Sequence, residues 1–182
     1  ARPEMDCERT FQTTFESLMA VKDLKIPNYI FASTSAVYGE TKIFPTPENS
    51  PQMYPVSIYG AGKLASEHFI SAFVNNYDLN AWVYRFGNVV GKKLTHGVIY
   101  DFIRKLLKNS KELEVLGNGQ QSKTYIDVED TVNGILFGFE KSKPGKNHEE
   151  KFKIFNLSTE GATTVKEIAE ETVRVVTKGE TK

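Results

Sequence analysis

Between Ser57 and Glu67 a tyrosine, Tyr59, stands four residues before a lysine, Lys63. On a helix, residues i and i+4 share a face, so this spacing would bring a phenol and an ammonium into one site. A free phenol titrates near pH ~10, and a neighbouring positive charge favours its ionised form, so the pair can turn a tyrosine into a base. The same spacing recurs in Tyr38-Gly39-Glu40-Thr41-Lys42. That second match lies between Gly39 and Pro45 and reads as a loop, where i and i+4 have no fixed relation. Leu64, Ala65, His68, Phe69, Ala72 and Phe73 follow Tyr59 at helical spacing, so the Tyr59 pair is the one a helix would fix.

Such a pair needs a frame. Phe11, Phe15, Leu18, Met19, Lys22 and Leu24 predict an amphipathic helix over 9–25, ended by Pro27. A short apolar strand follows at 29–33, then a loop rich in proline and polar residues at 40–55. The Tyr59 helix runs to about Asn76, a second apolar strand occupies 81–86, and Gly87 to Gly91 turns the chain away. Further on, the pattern predicts a helix at 98–107, a strand at 113–116 and a turn at 117–119. A helix at 128–139 begins near Asp127 as its cap, and 141–151 is an exposed charged loop. The chain continues with a strand at 152–157 and a helix at 164–176, with Thr163 or Thr164 as cap and Glu167 placed for a capping box. Helices alternating with near-continuous apolar strands predict an α/β fold with a parallel sheet covered on both faces. In such sheets ligands bind beyond the carboxyl ends of the strands, where 33–39 and 87–91 lie.

Composition narrows the function classes. The 182 residues suffice for one ordinary domain, and 23 basic residues balance 23 acidic ones. That balance gives no basic face for nucleic acid and no acidic tail. One cysteine, Cys7, permits no internal disulfide and fits a reducing compartment. No apolar run approaches a membrane span, so the reading is a soluble, cytoplasmic protein without a membrane partner. The histidines His68, His96 and His148 have no metal-ligand spacing, and no metal site is expected. Trp82, in an apolar strand, is expected in the core.

Four segments, in order, resemble the extended short-chain dehydrogenase/reductases, the NAD-dependent sugar-nucleotide epimerases and dehydratases. Ser33-Thr34-Ser35-Ala36-Val37-Tyr38-Gly39 is similar to the family's Ser/Thr-x-x-Val-Tyr-Gly loop, and Tyr59-x-x-x-Lys63 follows at the usual distance. Arg85-Phe86-Gly87-Asn88-Val89-Val90-Gly91 resembles Arg-Tyr-x-Asn-Val-Tyr-Gly. Residues 117–130 resemble Gly-x-Gly-x-x-x-Arg-Asp-Phe-x-x-Val-x-Asp. The resemblance implies a Rossmann-like parallel sheet, incomplete, with part of the substrate-binding subdomain. Residues 1–92 would be the C-terminal half of the NAD-binding domain and carry the catalytic residues. Residues 93–182 would mix substrate-subdomain elements with a late Rossmann strand and helix.

The roles implied are specific. Tyr59 would be the acid/base on a sugar hydroxyl, Lys63 would hold the nicotinamide ribose, and Thr34 would hydrogen-bond the same sugar oxygen. Ala32, Ser33 and Gly87 would lie along the NAD site with Tyr59 and Lys63. Thr34, Tyr59, Asn88 and Lys123 would contact the nucleotide sugar, with Lys123 standing where the family has a diphosphate-binding arginine. His96 would reach the substrate or remain a surface-loop histidine. A hydride would pass to NAD and back, as in the UDP-glucose 4-epimerases, which the segments resemble most; a UDP-sugar is the expected substrate.

Departures from the family pattern shape the expectation. Nowhere is there a Gly-x-x-Gly-x-x-Gly loop for the pyrophosphate of NAD, and the chain stops before the family's closing segment, which reads as an interior piece of a longer protein or a truncated gene product. Arg9-Thr10-Phe11 stands where the family places Asn-Val, and Lys123 keeps charge without bidentate geometry. Ser35 and Ala36 occupy positions where the 4,6-dehydratases carry Asp and Glu, which favours epimerisation over dehydration or reduction. The reading from another class is a non-catalytic fragment or interaction module. In the full-length form a homodimer is implied, built on the first helix and the Tyr59 helix, where Phe15, Met19, Phe69 and Phe73 would serve either as its interface or as core.

Overall fold

The computed structural model describes residues 2–177. In chain order it contains α1 (Pro3–Cys7), a π-helical turn (Glu8–Gln12), α2 (Thr13–Asp23), β1 (Asn28–Thr34), a 3-10 turn (Ser35–Tyr38), α3 (Ile58–Asn76), β2 (Asn80–Phe86) and β3 (Asn88–Val90). There follow α4 (Val98–Lys108), β4 (Ser122–Lys123), β5 (Tyr125–Asp127), α5 (Val128–Lys141), α6 (His148–Lys151), β6 (Phe152–Leu157), β7 (Thr163–Thr164) and α7 (Val165–Val176). These form two compact units. The first comprises Ala1–Phe86 with Val132–Leu157, the second Gly87–Thr131 with Ser158–Lys182.

The first unit is built on the parallel sheet that the two apolar runs predict, in the order β1-β2-β6. Registered residues of parallel strands point to one face. Phe31 pairs Val83 and Val83 pairs Ile154, and that face packs on Leu18 of α2 and Ile70, Phe73 and Val74 of α3. Trp82 and Tyr84 point the other way, onto α5. The Trp82 indole donates to Ser142 Oγ at 2.9 Å, its ring meets Phe139 edge-on at 4.8 Å, and the Tyr84 hydroxyl donates to the Ile135 carbonyl at 2.9 Å. With both faces covered, Ala81 through Arg85 are buried, and each large apolar side chain so placed contributes about 1.5–3 kcal/mol.

Helix α3 starts at a side-chain cap. Ser57 Oγ accepts from the Gly60 N–H at 3.0 Å, satisfying one of the orphan donors of the first turn. The first helix differs from its expected bounds: it starts at Pro3, and a π-helical turn joins α1 to α2. Phe73 is core and Met19 packs partly buried against it, while Phe15 and Phe69 are exposed.

In the second unit β3 pairs β5 in parallel, and β4 pairs β7 antiparallel. Helices α4 and α7 pack through Phe102, Ile168 and Ala169. Thr164 caps α7 with the full capping box that Glu167 predicts, and the Asp127 carboxylate accepts from the Glu129 N–H at 2.7 Å. Two expectations fail here. Leu113–Leu116 is not a strand: Leu113 and Val115 pack on the α4–α7 cluster, but the segment joins no ladder. The turn at 87–91 contains strand β3, drawn into pairing by β5. Among the described residues no helix is long and apolar enough to cross a membrane.

Candidate active site

The carboxyl end of β1 and the first two turns of α3 come together. Lys63 Nζ donates to the Ala32 carbonyl at 2.8 Å and stands over the Phe31 ring, 4.6 Å from its centroid. A Cβ on Gly60 would lie 2.8 Å from the Ala36 carbonyl oxygen, so the first turn of α3 rests on the 3-10 turn that follows Thr34. These two contacts bracket Thr34. Its hydroxyl oxygen accepts from the Ala36 N–H at 3.2 Å and keeps its proton free to donate. Tyr59, in the first turn of α3, is 42% exposed. Burial lowers the Lys63 pKa from 10.5, and the negative charge of Glu67 opposes that shift.

Beneath these groups lies a buried ion pair that the sequence reading passed over. Arg85 and Glu67 have side chains 1% and 2% exposed. Arg85 donates from Nη2 to Glu67 Oε2 at 2.6 Å and from Nε to both carboxylate oxygens at 3.1 and 3.2 Å. Ser33 Oγ donates to the same carboxylate. Arg85 Nη1 donates to the Tyr38 hydroxyl at 2.8 Å and to the Glu48 carbonyl at 2.9 Å. Tyr38 OH in turn donates to Asn156 Oδ1 at 2.6 Å. This is where the second Tyr-x-x-x-Lys match belongs: Tyr38 is a core residue, its pKa raised by burial although the Arg85 hydrogen bond works against that. Two signals pointed to the network. Arg85 is the lone charge in an otherwise apolar strand, and Glu67 stands one helical turn after Lys63.

The remaining predicted residues belong to the second unit. Gly87 is required by close approach: a Cβ there would lie 2.3 Å from Ser158 Oγ and 2.6 Å from Thr124 Oγ1. Asn88 opens β3, and its backbone N–H and side-chain amide both donate to the Thr124 carbonyl at 3.0 Å. Lys123 is exposed on β4. His96 is exposed in the loop before α4, with its Nδ1 3.4 Å from Thr95 Oγ1. The structure thus gathers Ala32, Ser33, Thr34, Tyr59 and Lys63 in the first unit, and places Gly87, Asn88, His96 and Lys123 in the second.

A parallel, helix-covered sheet with a Tyr-x-x-x-Lys helix at the carboxyl end of its strands defines a Rossmann-like α/β protein. The NAD dependent epimerase/dehydratase family model matches residues 1–157. The chain belongs to this family. It is 30% identical over 171 residues to a putative UDP-glucose 4-epimerase of Methanocaldococcus jannaschii, covering 91% of this chain and 52% of that protein. To human dTDP-D-glucose 4,6-dehydratase it is 27% identical, covering 86% of this chain and 43% of that one. A crystal structure of UDP-galactose 4-epimerase superposes with a TM-score of 0.89 at 33% identity, covering 97% of this chain and 57% of that one. The chain therefore spans about half the length of the relatives it matches.

Proposed function

We propose that a polypeptide of the relatives' length carrying this chain is an NAD-dependent UDP-sugar 4-epimerase, with Tyr59 as its acid/base. The observation that carries the reading is the placement of Lys63 and Tyr59 on the first turns of α3, against the strand end that bears Thr34. The donor set fits the cofactor. An ammonium and a phenol at the carboxyl end of a parallel sheet are the donors a ribose diol takes, and Lys63 already donates to a carbonyl there. When bound, NAD accepts a hydride from a sugar carbon and returns it.

The chain's own residues do the rest. Tyr59, as the acid/base, takes the proton of the sugar hydroxyl as the carbonyl forms, and gives it back on return. Thr34 donates its free hydroxyl proton to that same sugar oxygen. Lys63 holds the ribose and supplies positive charge on the same face of α3. Ala32, Ser33 and Gly87 are each assigned to the cofactor. Asn88, Lys123 and His96 are assigned to the nucleotide sugar, Lys123 to its diphosphate. The protein is assigned to the cytoplasm and, in its full-length form, to a homodimer through α2 and α3, where Phe15 and Phe69 are exposed and in edge contact at 5.8 Å.

Tyr59→Phe in the full-length protein tests the role: turnover of UDP-glucose is abolished while NAD stays bound, and retained epimerisation would sink the assignment. The human dehydratase relative supports dehydration as a second reading. Ser35 and Ala36, which bring no second acid and base beside Thr34, count against it. Mass spectrometry of the product decides, since dehydration alone loses water.

A further inference from the structure

The roles of Tyr59, Lys63 and Thr34 depend on how α3 is held against β1, and an apolar interface is a poor way to hold it. Apolar contacts are non-directional, so they tolerate sliding. A buried ion pair is the opposite case. It adds little stability over a well-packed apolar pair of the same volume, because both charges lose their water. What it adds is direction, through a planar fork that meets a carboxylate in one orientation. Arg85 and Glu67 form such a fork, and its bonds reach every element around the site. Glu67 lies on α3 one turn beyond Lys63 and two beyond Tyr59. Ser33, which donates to it, precedes Thr34 on β1. Through Tyr38 and the Glu48 carbonyl the same guanidinium holds the 3-10 turn after Thr34 and the loop leading to α3.

We propose that the Arg85–Glu67 pair is the positioning element of the site, clamping the Thr34 end of β1 to the Tyr59–Lys63 face of α3. The proposal rests on the reading of those three residues as the reacting groups. Arg85 and Glu67 act through their neighbours and take no part in proton transfer.

The experiment separates geometry from stability. The double variant E67L/R85M replaces the pair by apolar side chains and is made in both this chain and the full-length protein. Its urea midpoint is expected to stay near that of the wild type, relief from desolvating two charges offsetting the partners that Ser33 and the Glu48 carbonyl lose. In this chain, carbon-labelled lysine NMR reads the ring-current shift that Phe31 imposes on the Lys63 ε-methylene, and that shift collapses toward the value of an exposed lysine. In the full-length protein kcat falls on the order of 10²-fold, as misplacement by about 1 Å allows, while KM changes little. R85K, which keeps charge but not the fork, falls between. Wild-type kcat together with an unchanged Lys63 shift in a folded E67L/R85M overturns the proposal. If that variant does not fold, S33A in this chain without NAD decides, because it cuts the tie from β1 to Glu67 with no cofactor or turnover involved: an altered Lys63 shift supports the clamp, and a wild-type shift overturns it. A full-length wild type without turnover of any nucleotide sugar counts against the proposed function. The Lys63 shift then still decides the clamp.

Discussion

Gly62→Ala sets two effects of opposite sign against each other. Gly62 lies inside α3, between Tyr59 and Lys63, and alanine is preferred to glycine in a helix interior by about 0.5–1 kcal/mol. Propensity alone therefore predicts a more stable protein. The structure predicts the reverse, because the new methyl would stand 2.0 Å from Thr10 Oγ1 and 3.0 Å from Thr10 Cβ. Thr10 is 4% exposed, its hydroxyl donates to the Asp6 carbonyl, and its own carbonyl accepts from Thr14 and Ser66. Turning the Thr10 side chain away gives up a hydrogen bond worth about 1 kcal/mol net. The Cβ contact remains after that turn, so the helices must also part, and overpacking of this kind costs about 1–3 kcal/mol. Set against the propensity gain, the balance is a loss of about 1–3 kcal/mol. Urea unfolding followed by circular dichroism reads it as a lower midpoint at unchanged m. Thr10→Ala removes the oxygen in the way, so the double variant should lose less than the two single losses added, with a coupling of about 1 kcal/mol. A Gly62→Ala chain more stable than wild type, or strict additivity in the cycle, would refute the close contact between α3 and the π-helical turn.

Lys63→Met tests the burial of the ammonium. Burial holds the folded Lys63 pKa below 10.5, with Glu67 opposing. Between that lowered value and 10.5 the unfolded chain binds the extra proton, so the site's contribution to stability rises with pH. Wild type should gain on Lys63→Met in urea midpoint as pH climbs through that window; a wild type that loses ground contradicts the shift. Thr164→Ala removes the α7 cap, in which Thr164 Oγ1 accepts from the Glu167 N–H at 3.1 Å, and should cost about 1 kcal/mol in the same assay. The Glu167 pKa is lowered by the backbone N–H and then the hydroxyl of Thr164. Glu167's share of the box is therefore present above the ordinary carboxylate range and lost as pH falls through the lowered value. A Thr164→Ala deficit that persists unchanged into acid would show that the carboxylate carries none of it.

Elements fixed by local chemistry were legible in the sequence. Thr164 with Glu167 before α7 is a cap whose hydrogen bonds close within three residues, so the pattern and the structure agree almost to the residue. Strand β6 has its expected bounds, Phe152–Leu157, although Lys153 and Asn156 interrupt its apolar run. Elements fixed by distant partners were not. Leu113–Leu116 has the composition of a strand, but its side chains find the α4–α7 cluster and its backbone finds no ladder. β3 is three residues long and exists because Tyr125–Asp127 pairs with it; no run of that length carries a period.

The two Tyr-x-x-x-Lys matches show why the site was only half legible. Spacing cannot tell Tyr38 from Tyr59, and what separates them is the company each phenol keeps. Tyr38 is enclosed by Arg85 and Asn156, residues 47 and 118 positions away, and its oxygen both accepts and donates in the core. Tyr59 stands 42% exposed on a helix whose first turns are fixed by Ser57, Ala36 and Ala32. The same reasoning explains the missed pair. An arginine in an apolar strand and a glutamate on a helix are each ordinary, and only the fold makes them one group. Once paired, and with Ser33 bound to the same carboxylate, they join the strand that carries Thr34 to the helix that carries Tyr59 and Lys63, the three residues to which the proposed chemistry is assigned.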